Sequence, residues 1–136
     1  MVRRHNTLRW ELDDEPSYEY AQREGLVNLV GKTSGPSNGI YTTVDPTNLL
    51  PYEPEWDDLV RLHKLARRRK VMNVLEFGCG HSSLVFADAL EKNRREFGEF
   101  VRKNLRRSEP FRVDVVDDYK LFLDFTKGRI PKKLAH

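Results

Sequence analysis

Residues 71–83 read V-M-N-V-L-E-F-G-C-G-H-S-S, and the expected fold follows from this stretch. A short apolar run ends in an acid, Glu76, turns through Gly78 and Gly80, and enters a run with helical spacing. That order predicts the strand–loop–helix entrance of a nucleotide-binding α/β unit. Glycines without Cβ let a ligand lie against the main chain. The helix that follows begins with N–H groups that have no partner inside it. Glu76, near the end of the strand, can accept hydrogen bonds from hydroxyl or amino groups of the same ligand.

Upstream, residues 51–70 predict a helix. Pro54 suits a first turn, and Glu53, Glu55, Asp57 and Asp58 place acid at the amino end. Trp56, Leu59, Val60, His63 and Ala66 share one face, which Leu62 and Leu65 widen. The closing run Arg67-Arg68-Arg69-Lys70 is read as compensation of the helix dipole rather than as a nucleic-acid patch. His63 is read as a packed histidine, because no second ligand stands at metal spacing. This helix is expected to lie against the first strand, which as a nearly continuous apolar run is expected to be buried on both faces.

Downstream, a helix from Ser82 carries Leu84, Val85, Ala87 and Leu90, and a second charged stretch continues through Phe97, Phe100, Val101 and Leu105. Gly98 breaks or weakens it. Arg102–Arg107 is a second basic run at a helix end, again read as a solvated face. Residues 111–116, F-R-V-D-V-V, form the second strand, ending in Asp117-Asp118. A last helix begins at Lys120, with Leu121, Phe122 and Phe125 apolar, and ends at Lys127-Gly128.

Residues 1–50 have no sustained period and are expected to form an irregular extension, ahead of an α/β unit over 51–136. Within the extension, residues 17–30 hold a weak helix around Tyr20, Leu26, Val27 and Val30, and residues 40–44 have strand-type side chains. Gly31-Lys32-Thr33 looks like the end of a phosphate-binding loop but lacks the glycine that would open one.

The 136 residues suit one small domain. One cysteine, Cys79, leaves no intramolecular disulfide and suits a reducing compartment. No apolar run is long enough for a membrane span, so a cytoplasmic, membrane-free protein is expected. A net charge of +3 permits nucleic-acid contact without demanding it.

The run E-F-G-C-G-H-S-S resembles motif I of the class I S-adenosylmethionine-dependent methyltransferases, in which an acid stands two residues before the first glycine. Ser82 replaces the third glycine of that motif, where a serine suits a helix N-cap. The resemblance implies a partial Rossmann-like parallel sheet with flanking helices, the N-terminal portion of a methyltransferase. S-adenosylmethionine would be held by Glu76, Phe77, Gly78, Cys79, Gly80, His81 and Ser82, with Asp117 on the ribose hydroxyls and Asp118 as second choice. No metal site and no catalytic residue are assigned. Tyr41, Tyr52 and His81 are candidates to approach the pocket, and Cys79 is read as a small loop residue. The methyl acceptor is undetermined. Two strands are too few for the resembled sheet, so truncation or a completing chain is expected. Two other classes stay open: a nicotinamide-dependent oxidoreductase, in which Ser83 occupies the third glycine's place, and a non-catalytic nucleotide-binding or interaction module.

Overall fold

The structure, a computed structural model, describes residues 15–31 and 53–134. The elements run α1 (Ser17–Arg23), α2 (Leu26–Val30), α3 (Trp56–Arg68), β1 (Asn73–Phe77), α4 (His81–Asn104), β2 (Arg112–Val116) and α5 (Lys120–Arg129), then a 3₁₀ turn over Lys132–Leu134. The expected strand at residues 40–44, the Gly31-Lys32-Thr33 motif beyond Gly31, and Tyr41 and Tyr52 lie outside the described residues.

The two strands pair in parallel, Asn73 opposite Arg112 and Phe77 opposite Val116, with α4 as the connection between them. A parallel pair requires such a crossover. α4 packs on both strands, on α3, on α2 and on α5, which makes it the centre of the molecule. Its inner side chains Leu84, Val85, Ala89 and Leu90 are essentially inaccessible to water. Burial of each large side chain among them is worth about 1.5–3 kcal/mol.

Several expectations are corrected by this arrangement. The weak helix expected over residues 17–30 is two short helices, α1 and α2, and it belongs to the core rather than to an irregular extension, with Tyr20, Ala21, Leu26 and Val30 buried. Gly25, left-handed at φ 79°, separates these two short helices, a conformation that costs a residue with Cβ far more. The stripe foreseen on α3 is real, since Leu59, Val60, His63 and Ala66 are all buried, but α3 packs on α4 rather than chiefly on β1. β1 is not buried on both faces. Leu75 and Phe77 are 60% and 78% exposed, and Val116 on the neighbouring strand is 52% exposed. The helices pack over one face of the sheet, that of Val74, Glu76, Val113 and Val115, and no described element packs on the opposite face.

α4 is a single 24-residue helix that runs through Gly98 instead of breaking there. A methyl group at this position would sit 3.5 Å from Arg94 Cγ and 3.7 Å from the Phe111 ring, both ordinary contacts. Gly98→Ala is therefore expected to stabilise the chain by about 0.5–1 kcal/mol, read as a higher urea midpoint at unchanged slope. α5 likewise runs two residues past Lys127, through Gly128.

Helix α1 is fastened by a buried polar chain. The fully buried His63 ring joins the Tyr20 hydroxyl at 2.8 Å through Nδ1 and Asp88 at 2.9 Å through Nε2. Asp88, an acceptor only, takes its hydrogen bond from the Nε2–H of His63. Lys92 then bridges Asp88 at 2.8 Å and Glu24 at 2.9 Å. Burial, with a smaller push from Glu24, raises the Tyr20 hydroxyl to about 12. Burial alone would raise the Asp88 carboxyl too, but the hydrogen bonds from His63 and Lys92 and the charges of both outweigh it and hold the group below its usual range. Glu24 is lowered in the same way, by Lys92, His63 and Arg23 against its burial. A carboxyl depressed in the folded state contributes stability above its unfolded value, near pH 4, and loses it as pH falls through the folded value. Urea midpoints are thus expected to fall steeply below about pH 4, and Asp88→Asn to flatten that fall.

Candidate functional site

The carboxyl ends of both strands converge on the glycine loop. Gly78 continues the ladder beyond β1, its N–H donating to the Val116 carbonyl at 2.7 Å. It is left-handed at φ 87°, which turns the chain out of the sheet at the point where glycine is needed. A Cβ added at Gly78 or at Gly80 would meet no atom of the described residues within 4 Å, so the loop borders open space at both glycines.

Glu76 lies on the helix-covered face of β1 and points its carboxylate at the first turn of α4. The Ser83 hydroxyl donates to it at 2.6 Å and the Ser82 hydroxyl donates to its other oxygen. Ser82 is therefore not the helix cap that the sequence suggests. α4 begins one residue earlier, at His81, with Gly80 in the cap position, and the Gly80 N–H donates to Ser83 Oγ at 3.2 Å. Ser82 already lies within the first turn, past the cap position, and its hydroxyl donates to Glu76.

Asp117, one residue past β2, faces the loop from the other strand. One carboxylate oxygen accepts from the Cys79 backbone N–H at 3.1 Å and from its thiol at 3.2 Å, and the other accepts from the Tyr119 N–H at 2.8 Å. The Tyr119 N–H is the main cause that lowers the Asp117 carboxyl below its ordinary value, followed by the Cys79 thiol. Two carboxylate oxygens offer about four acceptor directions, so acceptor capacity remains on the exposed side. The Cys79 thiol is pushed up, first by burial and then by Asp117, with the Thr126 hydroxyl opposing. It stays protonated at neutral pH, which suits a packed loop residue and not a nucleophile.

The structure thus brings Glu76, Gly78, Cys79, Gly80, His81, Ser82 and Asp117 together at one edge. Phe77 belongs there only through its backbone, because its ring stands on the face of the sheet opposite the helices. Asp118 is exposed beside Asp117. Ser83, Tyr119, Thr126 and Arg129 complete the site and were not singled out for it from the sequence; Ser83 alone carried a signal, as a hydroxyl within the first turn after a glycine loop. A cavity of about 290 Å³ lies under β2 between Ala87, Glu91, Val113, Val115 and Ile130, and neither glycine nor either acid of the loop lines it. Among the described residues no group of three His, Cys, Asp or Glu is placed to hold a metal ion, and no helix is long and apolar enough to cross a membrane. Comparison with protein-family models, with curated proteins and with solved structures gives no match.

Proposed function

We propose that the chain carries the S-adenosylmethionine-binding part of a methyltransferase, with the ligand lying across the carboxyl ends of β1 and β2. One observation supports this above the rest. Two acids, Glu76 and Asp117, flank a loop whose two glycines border open space, on adjacent parallel strands. A ligand carrying ribose hydroxyls and an ammonium group supplies the donors such acids need, and its approach to the main chain requires the missing Cβ atoms.

The fit has a local logic. The Ser82 and Ser83 hydroxyls aim the Glu76 carboxylate, while the Tyr119 N–H and Cys79 aim that of Asp117 and hold it below its ordinary value. Both acids are thereby preorganised, which reduces the ordering cost of binding. When bound, the cofactor supplies an activated methyl group on a sulfonium, and such transfer depends mainly on placement. The residues of this chain bind and orient; the group that positions the methyl acceptor is not assigned to any of them.

Amide NMR tests the location. Added S-adenosylhomocysteine is expected to shift the amides of Gly78–Ser83 and of Asp117–Tyr119, leaving those of α1 unchanged. Shifts confined to other parts of the chain would remove the reading.

A further inference from the structure

We propose that Arg129, at the end of α5, receives the anionic end of the ligand that the glycine loop holds. This rests on the cofactor reading above, in which that end is the carboxylate of the amino-acid portion.

Helix α5 lies against the loop through one face. Thr126 is buried with its hydroxyl by the Cys79 thiol, and Arg129 follows one turn later beside His81, the residue after Gly80. Nη2 of Arg129 donates to the Val30 carbonyl at 2.7 Å and to Nδ1 of His81 at 3.1 Å. Arginine has only donors, so His81 carries its proton on Nε2 and acts as the acceptor that orients the guanidinium. Both N–H groups of Nη2 are then used. The three on Nε and Nη1 bond to no described residue.

Charge makes the same point. The partly buried cations Arg67 and Lys92 each pair with carboxylates, Glu96 for the first and Glu24 and Asp88 for the second. Arg129 is also partly buried, yet no carboxylate among the described residues pairs with it. Burial alone acts on its guanidinium, lowering its pKa from the usual arginine value. The Phe125 ring, 5.7 Å from the guanidinium, and two neutral acceptors leave the charge without a counter-ion, which an incoming anion supplies. The loop consequently has an acidic flank at Glu76 and Asp117 and a cationic flank at Arg129. Such polarity suits a ligand with donors at one end and a carboxylate at the other.

The test compares two probes on the full chain by calorimetry. S-adenosylhomocysteine carries the amino-acid end, whereas 5′-methylthioadenosine has the same nucleoside and thioether without it. The wild-type chain is expected to bind the first roughly 10- to 100-fold more tightly, the range of a charge-assisted contact. Arg129→Ala is expected to bring S-adenosylhomocysteine down to the level of methylthioadenosine and to leave the latter unchanged. Arg129→Gln, which keeps a donor near Val30 without the charge, should behave alike if the alanine variant fails to fold. Equal wild-type affinity for the two probes, or a variant that keeps the difference or weakens both probes equally, overturns the role of Arg129 while leaving the cofactor reading intact. Binding of neither probe overturns the cofactor reading itself, and this proposal with it.

Discussion

Replacing Gly80 with valine leaves the chain folded and lowers its affinity for S-adenosylhomocysteine by roughly 100-fold, about 3 kcal/mol at the upper end of the cost of overfilling a close contact. The fold tolerates the change because, chain neighbours aside, no atom of the described residues lies within 4 Å of the new Cβ and the backbone there is extended, at φ 169°. The Gly80 N–H keeps its bond to Ser83. The cost to the helix is that of a poorer cap residue, on the order of 1 kcal/mol. The side chain instead fills the space in which the ligand approaches the main chain. Calorimetry on the variant, with circular dichroism as the check of fold, reads both effects. Undiminished affinity in a folded Gly80→Val chain would place the ligand elsewhere.

Asn93→Leu is expected to destabilise the chain by about 2–4 kcal/mol while leaving the glycine loop chemically unaltered. Asn93 is fully buried in the middle of α4. Its amide donates to the Ala66 carbonyl at 3.1 Å and to the Val71 carbonyl at 2.9 Å, and its oxygen accepts from Arg67. These bonds fix the turn from α3 into β1, where Lys70 takes a positive φ of 51°. Leucine has similar size, so no cavity opens, and the loss is that of donors to buried carbonyls. Arg67 keeps Glu96 at 2.7 Å. A urea midpoint within error of wild type would show that water replaces the amide, and would contradict this account of the turn.

The parts of the fold legible in the sequence were those set by neighbouring residues. β1, β2, the core of α3 and the glycine loop each have a local pattern, whether apolar runs, three-and-four spacing or paired glycines. Asp117 was legible because it directly follows the apolar run of β2, and its place opposite the loop follows from parallel pairing. What depended on distant partners was not. An apolar strand reads the same whether one face is covered or two, so the exposure of Leu75 and Phe77 left no trace. Tyr20, His63 and Asp88 lie 43 and 25 residues apart along the chain, and nothing in their local sequence joins them. Gly98 suggested a break by propensity, but α4 gains enough from its packed face to carry one glycine. Arg129 stands just past the Lys127-Gly128 end expected for the last helix, with no motif around it; only its distance to His81 and Val30 marks it out.

The central claim is that the loop between β1 and α4 binds a cofactor of the S-adenosylmethionine type. Calorimetric titration of the folded 136-residue chain with S-adenosylhomocysteine, alongside the same titration with NAD, tests it most directly. The account predicts a single-site isotherm in the micromolar range for the first and no heat of binding for the second. Binding of NAD in preference, or of neither by a folded chain, would contradict it.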